Sequence, residues 1–361
     1  MRLYGLLAFG FLIALIGLTP GCKSDAPTPP PIGPEWRVYT KGNSPLGGNR
    51  IRCMTLDSDG SIWLGTDSGA THFSPGSGGW SNFKDSLRTS GGSIANVSAI
   101  VQGRDRSIWF GTIGAGVIRF NQYSQTGNTW TRFNSSVAPL VASGIMAYKT
   151  DPNNAGEIWI TSGNGIDRFI QNDLTTGNGT WTHFYPSATV SMPTDNMVSA
   201  FLNPINNHFW FGGAIGGAVE AYYDASLVWG RYESPVEQYK VISIAFDLDD
   251  NVWFGKEVGA SKLNLTSGKW VYYNADSTNG QFPSGAVNAI VTNYHSLRWF
   301  GTDSGLVSLN DTTYTKFNQD NSVLPNNRVT ALALDLRGNL WIGTQFGLAV
   351  YRKGGTLGFS N

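Results

Sequence analysis

Charge is scarce in this chain. Lys, Arg, Asp and Glu make up 14% of the 361 residues, and 25 basic side chains balance 25 acidic ones. An average soluble domain carries roughly a quarter of charged residues. With no basic excess there is nothing to neutralise a phosphate backbone, which argues against a general nucleic-acid binder. Only two cysteines occur, Cys22 and Cys53, so no disulfide framework or paired-cysteine metal pattern is available. Histidine is limited to four residues, and neither Gly-x-Ser-x-Gly nor His-Glu-x-x-His occurs. Beyond the first residues no stretch holds a 3.6-residue apolar period, so long amphipathic helices are not expected. What is abundant is glycine, 45 residues, and aromatics, 13% with 13 Trp. That balance excludes a disordered chain and points to many short strands joined by tight turns.

The first 21 residues read as an address. Met1 and Arg2 precede an uncharged run from Leu3 to Leu18, short for a membrane span of about 20 residues. The run ends in Thr19-Pro20-Gly21-Cys22 and resembles a bacterial lipoprotein signal peptide cleaved before Cys22, which would carry the lipid. Thr19 stands where the usual lipobox has Leu, and an ordinary secretory signal is the alternative. Residues 22–34 hold five prolines, the composition of an extended tether. Lys23 lacks the acidic character linked to inner-membrane retention, which favours the outer membrane. Lipidation at Cys22 leaves no intrachain disulfide, and Cys53 reads as a small hydrophobe within a strand.

Residues 35–353 repeat one motif seven times. A tetrad recurs as Trp63-Leu-Gly-Thr66, Trp109-Phe-Gly-Thr112, Trp159-Ile-Thr-Ser162, Trp210-Phe-Gly-Gly213, Trp253-Phe-Gly-Lys256, Trp299-Phe-Gly-Thr302 and Trp341-Ile-Gly-Thr344. Successive tryptophans lie 46, 50, 51, 43, 46 and 42 residues apart. Around each tetrad stand an apolar segment upstream, a Gly/Asp/Asn turn, a third apolar segment and a closing Trp-x-x-aromatic. This predicts four short strands per unit. A stacked solenoid and a β-propeller both fit the period. The chain ends decide: Trp36-Arg-Val-Tyr39 is a surplus fourth strand, and the unit from Arg328 to Arg352 lacks one. The expectation is an all-β, seven-bladed propeller closed by its N-terminal strand, with residues 354–361 as a tail. The tryptophans read as core, the glycines as points of close backbone approach, and the threonines as ties for the next turn. Asp57 and Asp59 read as turn residues rather than calcium ligands.

The segment from Asn327 to Leu348 resembles a two-component regulator propeller repeat almost throughout. Blades 1, 2 and 6 are also similar to it, while blades 3, 4 and 5 diverge at the Gly-Thr pair. The resemblance implies an extracytoplasmic, ligand-sensing propeller of the kind found in large hybrid sensor kinases. Those receptors carry a second propeller, a β-sandwich, a membrane helix and a kinase. None follows Arg352 here, which implies a sensor that hands its signal to a partner.

The expected ligand site is the mouth of the central channel. The residues aligned just before the innermost strands are Arg50, Asn96, Gly144, Met197, Lys240, Ala286 and Arg328, three of them cationic. Those aligned after the tetrads are Asp67, Ile113, Ser162, Ala214, Glu257, Asp303 and Gln345. Arg50, Asn96, Lys240, Arg328, Asp67, Glu257, Asp303 and Gln345 are therefore candidate contacts for an anionic or sugar-like ligand; ordinary solvated loop residues are the alternative. No cofactor, metal or catalytic residue is expected. A lyase similar to the streptogramin lyases would need His and Glu converging on a metal. His72, His183, His208 and His295 fall in four different units and are not expected to meet. The expected function is a non-catalytic recognition propeller, lipid-anchored in the envelope, binding a small molecule, a glycan or an envelope partner such as a separate sensor kinase. A scaffold within an outer-membrane complex is the alternative, and a lyase the second.

Overall fold

The computed structural model describes residues 35–122, 127–133, 142–148, 156–172, 178–187, 190–224, 226–232, 239–293 and 296–355. The leader, the tether, Cys22, His295 and the end of the tail lie outside the described residues. Twenty-eight strands form seven four-stranded antiparallel sheets, and each sheet is one blade of a β-propeller. Blade 1 comprises Ile51–Leu56, Ile62–Thr66, Gly69–Ser74 and Gly79–Phe83, running from channel to rim. Blades 2 to 6 repeat this order over 96–133, 142–184, 197–232, 241–273 and 287–317. Innermost strands of adjacent blades pack side by side around the ring, including Ile51–Leu56 against Val329–Leu334. Among the described residues no helix is long and apolar enough to cross a membrane.

The ring closes as the chain ends predict. Blade 7 takes three strands from 329–351 and its outermost from Trp36–Tyr39, antiparallel and with Trp36 opposite Tyr351. Ring contacts seal the seam: Trp36 lies 4.4 Å from Tyr351 and 5.7 Å from Phe317 of blade 6. Beyond the strands, the Arg352 amide donates to the Glu35 carbonyl at 2.9 Å.

The tetrad has the roles its residue types suggest. Six of its tryptophans are essentially fully buried, and Trp299 is 3% exposed. Each bridges to the following blade: Trp63 packs with Ile108 and Phe110, and Trp341 lies 5.8 Å from Phe73. In blades 1 to 6 the aromatic ending the outer strand packs on its own blade's tryptophan, as Phe83 does on Trp63 at 5.2 Å and Phe133 on Trp109 at 5.4 Å. A Cβ at Gly65 would stand 2.8 Å from Val97 of blade 2, and one at Gly343 2.6 Å from Ile51 of blade 1. Glycine here sets how closely one blade approaches the next. The Thr66, Thr302 and Thr344 hydroxyls donate to the carbonyls of Gly69, Gly305 and Gly347 at 2.8–2.9 Å, tying the turn that follows. Cys53 is a free, partly exposed residue. Its thiol donates to the Val97 carbonyl at 3.7 Å, and burial pushes its pKa up to about 12, so it stays protonated.

Candidate functional site at the channel mouth

Every innermost strand is irregular at the same place. In blade 1, Ile51 pairs with Thr66 and Cys53 with Gly65, which leaves Arg52 as an extra residue. The same shift makes Ser98, Val198, Ile242, Asn288 and Thr330 the extra residue of the strand in blades 2, 4, 5, 6 and 7. A bulge bends its strand and re-aims the extra side chain. These six side chains, joined by Arg50 and Lys240, line a cavity of about 320 Å³ at the channel mouth. Its size suits a small ligand. Three of the eight lining residues are cationic and none is acidic.

Some of the polar lining is held in place. Thr330 Oγ1 donates to the Ile51 carbonyl at 2.5 Å, across the junction of blades 7 and 1. Asn288 Nδ2 donates to Asp303 Oδ1 and to the Val329 carbonyl, both at 2.9 Å. Arg52 is under electrostatic pressure: burial foremost, then the neighbouring Arg50 charge, lowers its pKa, with Asp67 opposing. Its buried Nε has no hydrogen-bond partner. An anion seated in the mouth would relieve both conditions.

Of the residues predicted from sequence, Arg50 and Lys240 line this cavity. Arg328 does not; its Nε pairs with Asp303 Oδ1 at 3.0 Å, so the charges of both are committed to each other. Asn96 begins the inner strand of blade 2 opposite Ile113, and Gln345 donates its backbone N–H to the Arg328 carbonyl. Asp67 and Glu257 are exposed on turns of the same face. Two alignments shift: Met197 pairs with Gly213 inside its strand, which makes Asn196 the true counterpart of Arg50, and Gly144 lies beyond the bulge of blade 3. Ser162 is the tetrad's own fourth residue, tying the turn to Gly165. Sequence reasoning missed Arg52 and the other bulge residues. For Arg52, Asn288 and Thr330 the signal was a polar side chain at the second position of the strand; Val198 and Ile242 had none.

The opposite face is a hydrogen-bonded frame. Asp57, Glu157, Asp247 and Asp335 each accept from the indole N–H of their blade's tryptophan at 2.8–3.0 Å. Several also clasp the next blade: Arg298 donates to Asp247 and Tyr223 to Glu157, both at 2.8 Å, and Gln171 to Asp105 at 2.9 Å. Asp105 also holds Arg119. Asp57, Glu157, Asp247 and Asp335 are thus tryptophan caps, and among the described residues no group of three His, Cys, Asp or Glu could hold a metal. The three described histidines have separate acids in separate blades: His72 lies 3.7 Å from Asp57, His183 3.0 Å from Asp167, and His208 2.7 Å from Glu220.

The geometry defines a class, a closed seven-bladed β-propeller with a cation-lined mouth. More particularly, residues 45–68 and 323–346, in its first and last blades, match the family model of the two component regulator propeller. No curated protein matches the sequence. Among solved structures, the extracellular domain of BT4673 from B. thetaiotaomicron, assigned to a one component system, superposes with a TM-score of 0.69 at 18% identity. The match covers 89% of this chain and 40% of that one, so the chain spans well under half of that ectodomain. PorZ, a surface component of the type-IX secretion system of Porphyromonas gingivalis, gives 0.62 at 18%, covering 88% of this chain and 49% of its own. Virginiamycin B lyase from Staphylococcus aureus gives 0.61 at 15%, covering 87% and 98%. At these identities the likenesses concern the fold.

Proposed function

We propose that this chain is an exported, non-catalytic recognition propeller that binds a small anionic or sugar-like ligand at its channel mouth. The observation that carries this reading is the cavity of about 320 Å³ in which Arg50, Arg52 and Lys240 converge without an acid. The family repeats and the likeness to extracellular domains of membrane sensors support export and sensing. The separate pairing of the three described histidines favours recognition over lyase chemistry. Attachment through a lipid on Cys22, with the propeller facing periplasm or cell surface, belongs to the same proposal, as does relay to a separate kinase or envelope protein. Thermal-shift measurement against sulfated and uronic-acid oligosaccharides, beside their neutral counterparts, tests it. An acidic glycan at about 100 times its Kd should stabilise the protein by about 2.7 kcal/mol. Arg50→Ala with Lys240→Ala should abolish the shift, while Arg328→Ala should leave it nearly intact because that charge already faces Asp303. Equal shifts with neutral sugars, or with the double variant, would remove the mouth as the site.

A second reading rests on Ile113, Ile215, Val258 and Phe346, which are 41–59% exposed on turns of the mouth face. They favour a scaffold with a protein seated over the channel. Co-purification of one envelope protein, lost on Phe346→Asp with Ile215→Asp, would support it.

A further inference from the structure

Blade 5, like blade 4 with Gly213, has no hydroxyl at the last position of its tetrad. In other blades Thr66, Thr112, Thr302 and Thr344 use a hydroxyl there to close the following turn. Blade 5 has Lys256, and its turn closes through the backbone instead, the Lys256 N–H donating to the Gly259 carbonyl at 2.9 Å. The lysine side chain is not needed for the turn, yet it is 3% exposed. It makes no hydrogen bond or ion pair among the described residues. Its Nζ lies 5.7 Å from the Tyr239 ring centre and 5.4 Å from that of Tyr272, within cation–π range of both. Tyr272 Oη is buried and also unpartnered, as is Ser261 Oγ, which shares a small void with Lys256 on its inner side. Above the lysine opens a cavity of about 240 Å³, walled by Tyr239, Tyr272, Tyr273, Val258 and Ala260.

A buried ammonium without a counter-ion is costly, and unpaired buried hydroxyls add to the cost. Burial pushes the pKa of Lys256 down to about 8, and among the described residues no carboxylate offsets it. Such a site is completed by an anion from outside. It offers one positive charge, so a monoanion matches it while a dianion leaves a charge unmet. Apart from Asn274 the walls are aromatic and aliphatic, which suits an apolar or flat body. The volume is below the roughly 300–1,000 Å³ of drug-sized pockets, which restricts the guest to a small metabolite.

We propose that blade 5 carries a second ligand pocket, beside the channel mouth, in which the Lys256 amine is the counter-charge for a small monocarboxylic acid held between the Tyr239 and Tyr272 rings. Tyr272 Oη supplies a further donor to the carboxylate. The pocket adjoins the mouth through the sequence neighbours Tyr239, which lines the pocket, and Lys240, which lines the mouth. It uses none of the mouth's lining residues, so it stands or falls independently of the function proposed above.

The experiment is protection of Lys256 from trinitrobenzenesulfonate in the full chain, mapped by mass spectrometry at about pH 8. Benzoate, 4-hydroxybenzoate and glucuronate are the probes, with benzamide, glucose and inorganic phosphate as controls. At least one carboxylate should slow modification of Lys256 about tenfold, the amide and glucose should not, and phosphate should act more weakly. The same protection should persist in the Arg50→Ala/Lys240→Ala variant, which separates this pocket from the mouth. By calorimetry Lys256→Met should lose binding of the protecting acid, and Tyr272→Phe, which removes only a hydroxyl, should weaken it severalfold. No protection by any of the three acids at 10 mM, a concentration typical of weak sites with about millimolar Kd, would overturn the proposal. Equal protection by benzamide or phosphate, loss of protection in the mouth variant, or unchanged affinity in Tyr272→Phe would overturn it too.

Discussion

Each buried tryptophan carries one indole N–H into the core, and the blades satisfy it unequally. An acid caps it in blades 1, 3, 5 and 7, Ser107 does so in blade 2, and Trp210 of blade 4 has no partner among the described residues. The cap is legible as an aspartate in a turn, but its target is not. Asp57 and Trp63 are six residues apart, and only the hairpin brings them to 3.0 Å. Burial alone would raise the Asp57 pKa; the His72 ring 3.7 Å away and donors from the Trp63 indole and the Ser61 N–H outweigh it and hold the carboxyl at about 2. A depressed pKa means the unfolded chain binds the proton first. The contribution is therefore present above about pH 4 and lost as pH falls toward 2. Asp57→Ala should cost about 1–3 kcal/mol at neutral pH through the orphaned indole. Urea unfolding at pH 6 and pH 2.5 should show the gap to wild type narrowing in acid; a constant gap would mean that Asp57 acts without its charge. Close approach is testable just as locally. Gly65→Ala drives a methyl into Cys53 Sγ and to 2.8 Å from Val97, whereas a Cβ at Gly76 meets nothing within 4 Å. The first should lose about 1–3 kcal/mol by overpacking and the second less than about 0.5 kcal/mol, both read by chemical denaturation.

At the scale of strands, the outer three of each blade read directly from the sequence as short apolar or aromatic runs between punctuating turns. The innermost strand does not yield so readily, because its bulge shifts the alternation by one residue. That shift hid Arg52, misplaced Met197 and Gly144, and left Arg328 as a candidate although it pairs with Asp303. Long-range ion pairs have no local sequence signal. Closure, in contrast, could be read from two ends that each lacked what the other held. Because Trp36–Tyr39 lies antiparallel beside Gly347–Tyr351, a permutant starting at Lys41 and carrying residues 35–40 after Gly355 turns the seam into an ordinary hairpin. It should fold with a melting temperature within a few degrees of the parent, since every ladder bond is retained. Simply deleting residues 35–40 leaves Gly347–Tyr351 as an open edge. That variant should melt lower and self-associate by size-exclusion chromatography.

For the whole molecule, closure changes what a weak junction can do. Blades contact only their neighbours, as repeats do in a solenoid, and an open solenoid can come apart at one interface while the rest stays folded. In a ring, two junctions must open before any segment separates. The Arg298–Asp247 clasp between blades 5 and 6 is a suitable place to test this. Asp247 is completely buried, and its pKa is lowered because donors from Trp253, Arg298 and Asn251 outweigh the burial that would raise it. Arg298→Ala leaves that carboxylate short of its charge partner, a loss of about 3–5 kcal/mol for a buried pair. In the closed ring the damage should appear as one cooperative transition at lower temperature, because the junction of blades 7 and 1 still holds blade 6 in place. Combined with deletion of residues 35–40, the same substitution leaves blades 6 and 7 joined to the rest at one weakened interface and one unsealed seam. Calorimetry should then resolve two transitions, the first accompanied by fast amide exchange confined to residues 287–351. A single transition in the combined variant would mean that the hydrophobic contacts between blades, rather than the closing strand, make the ring unfold as one unit.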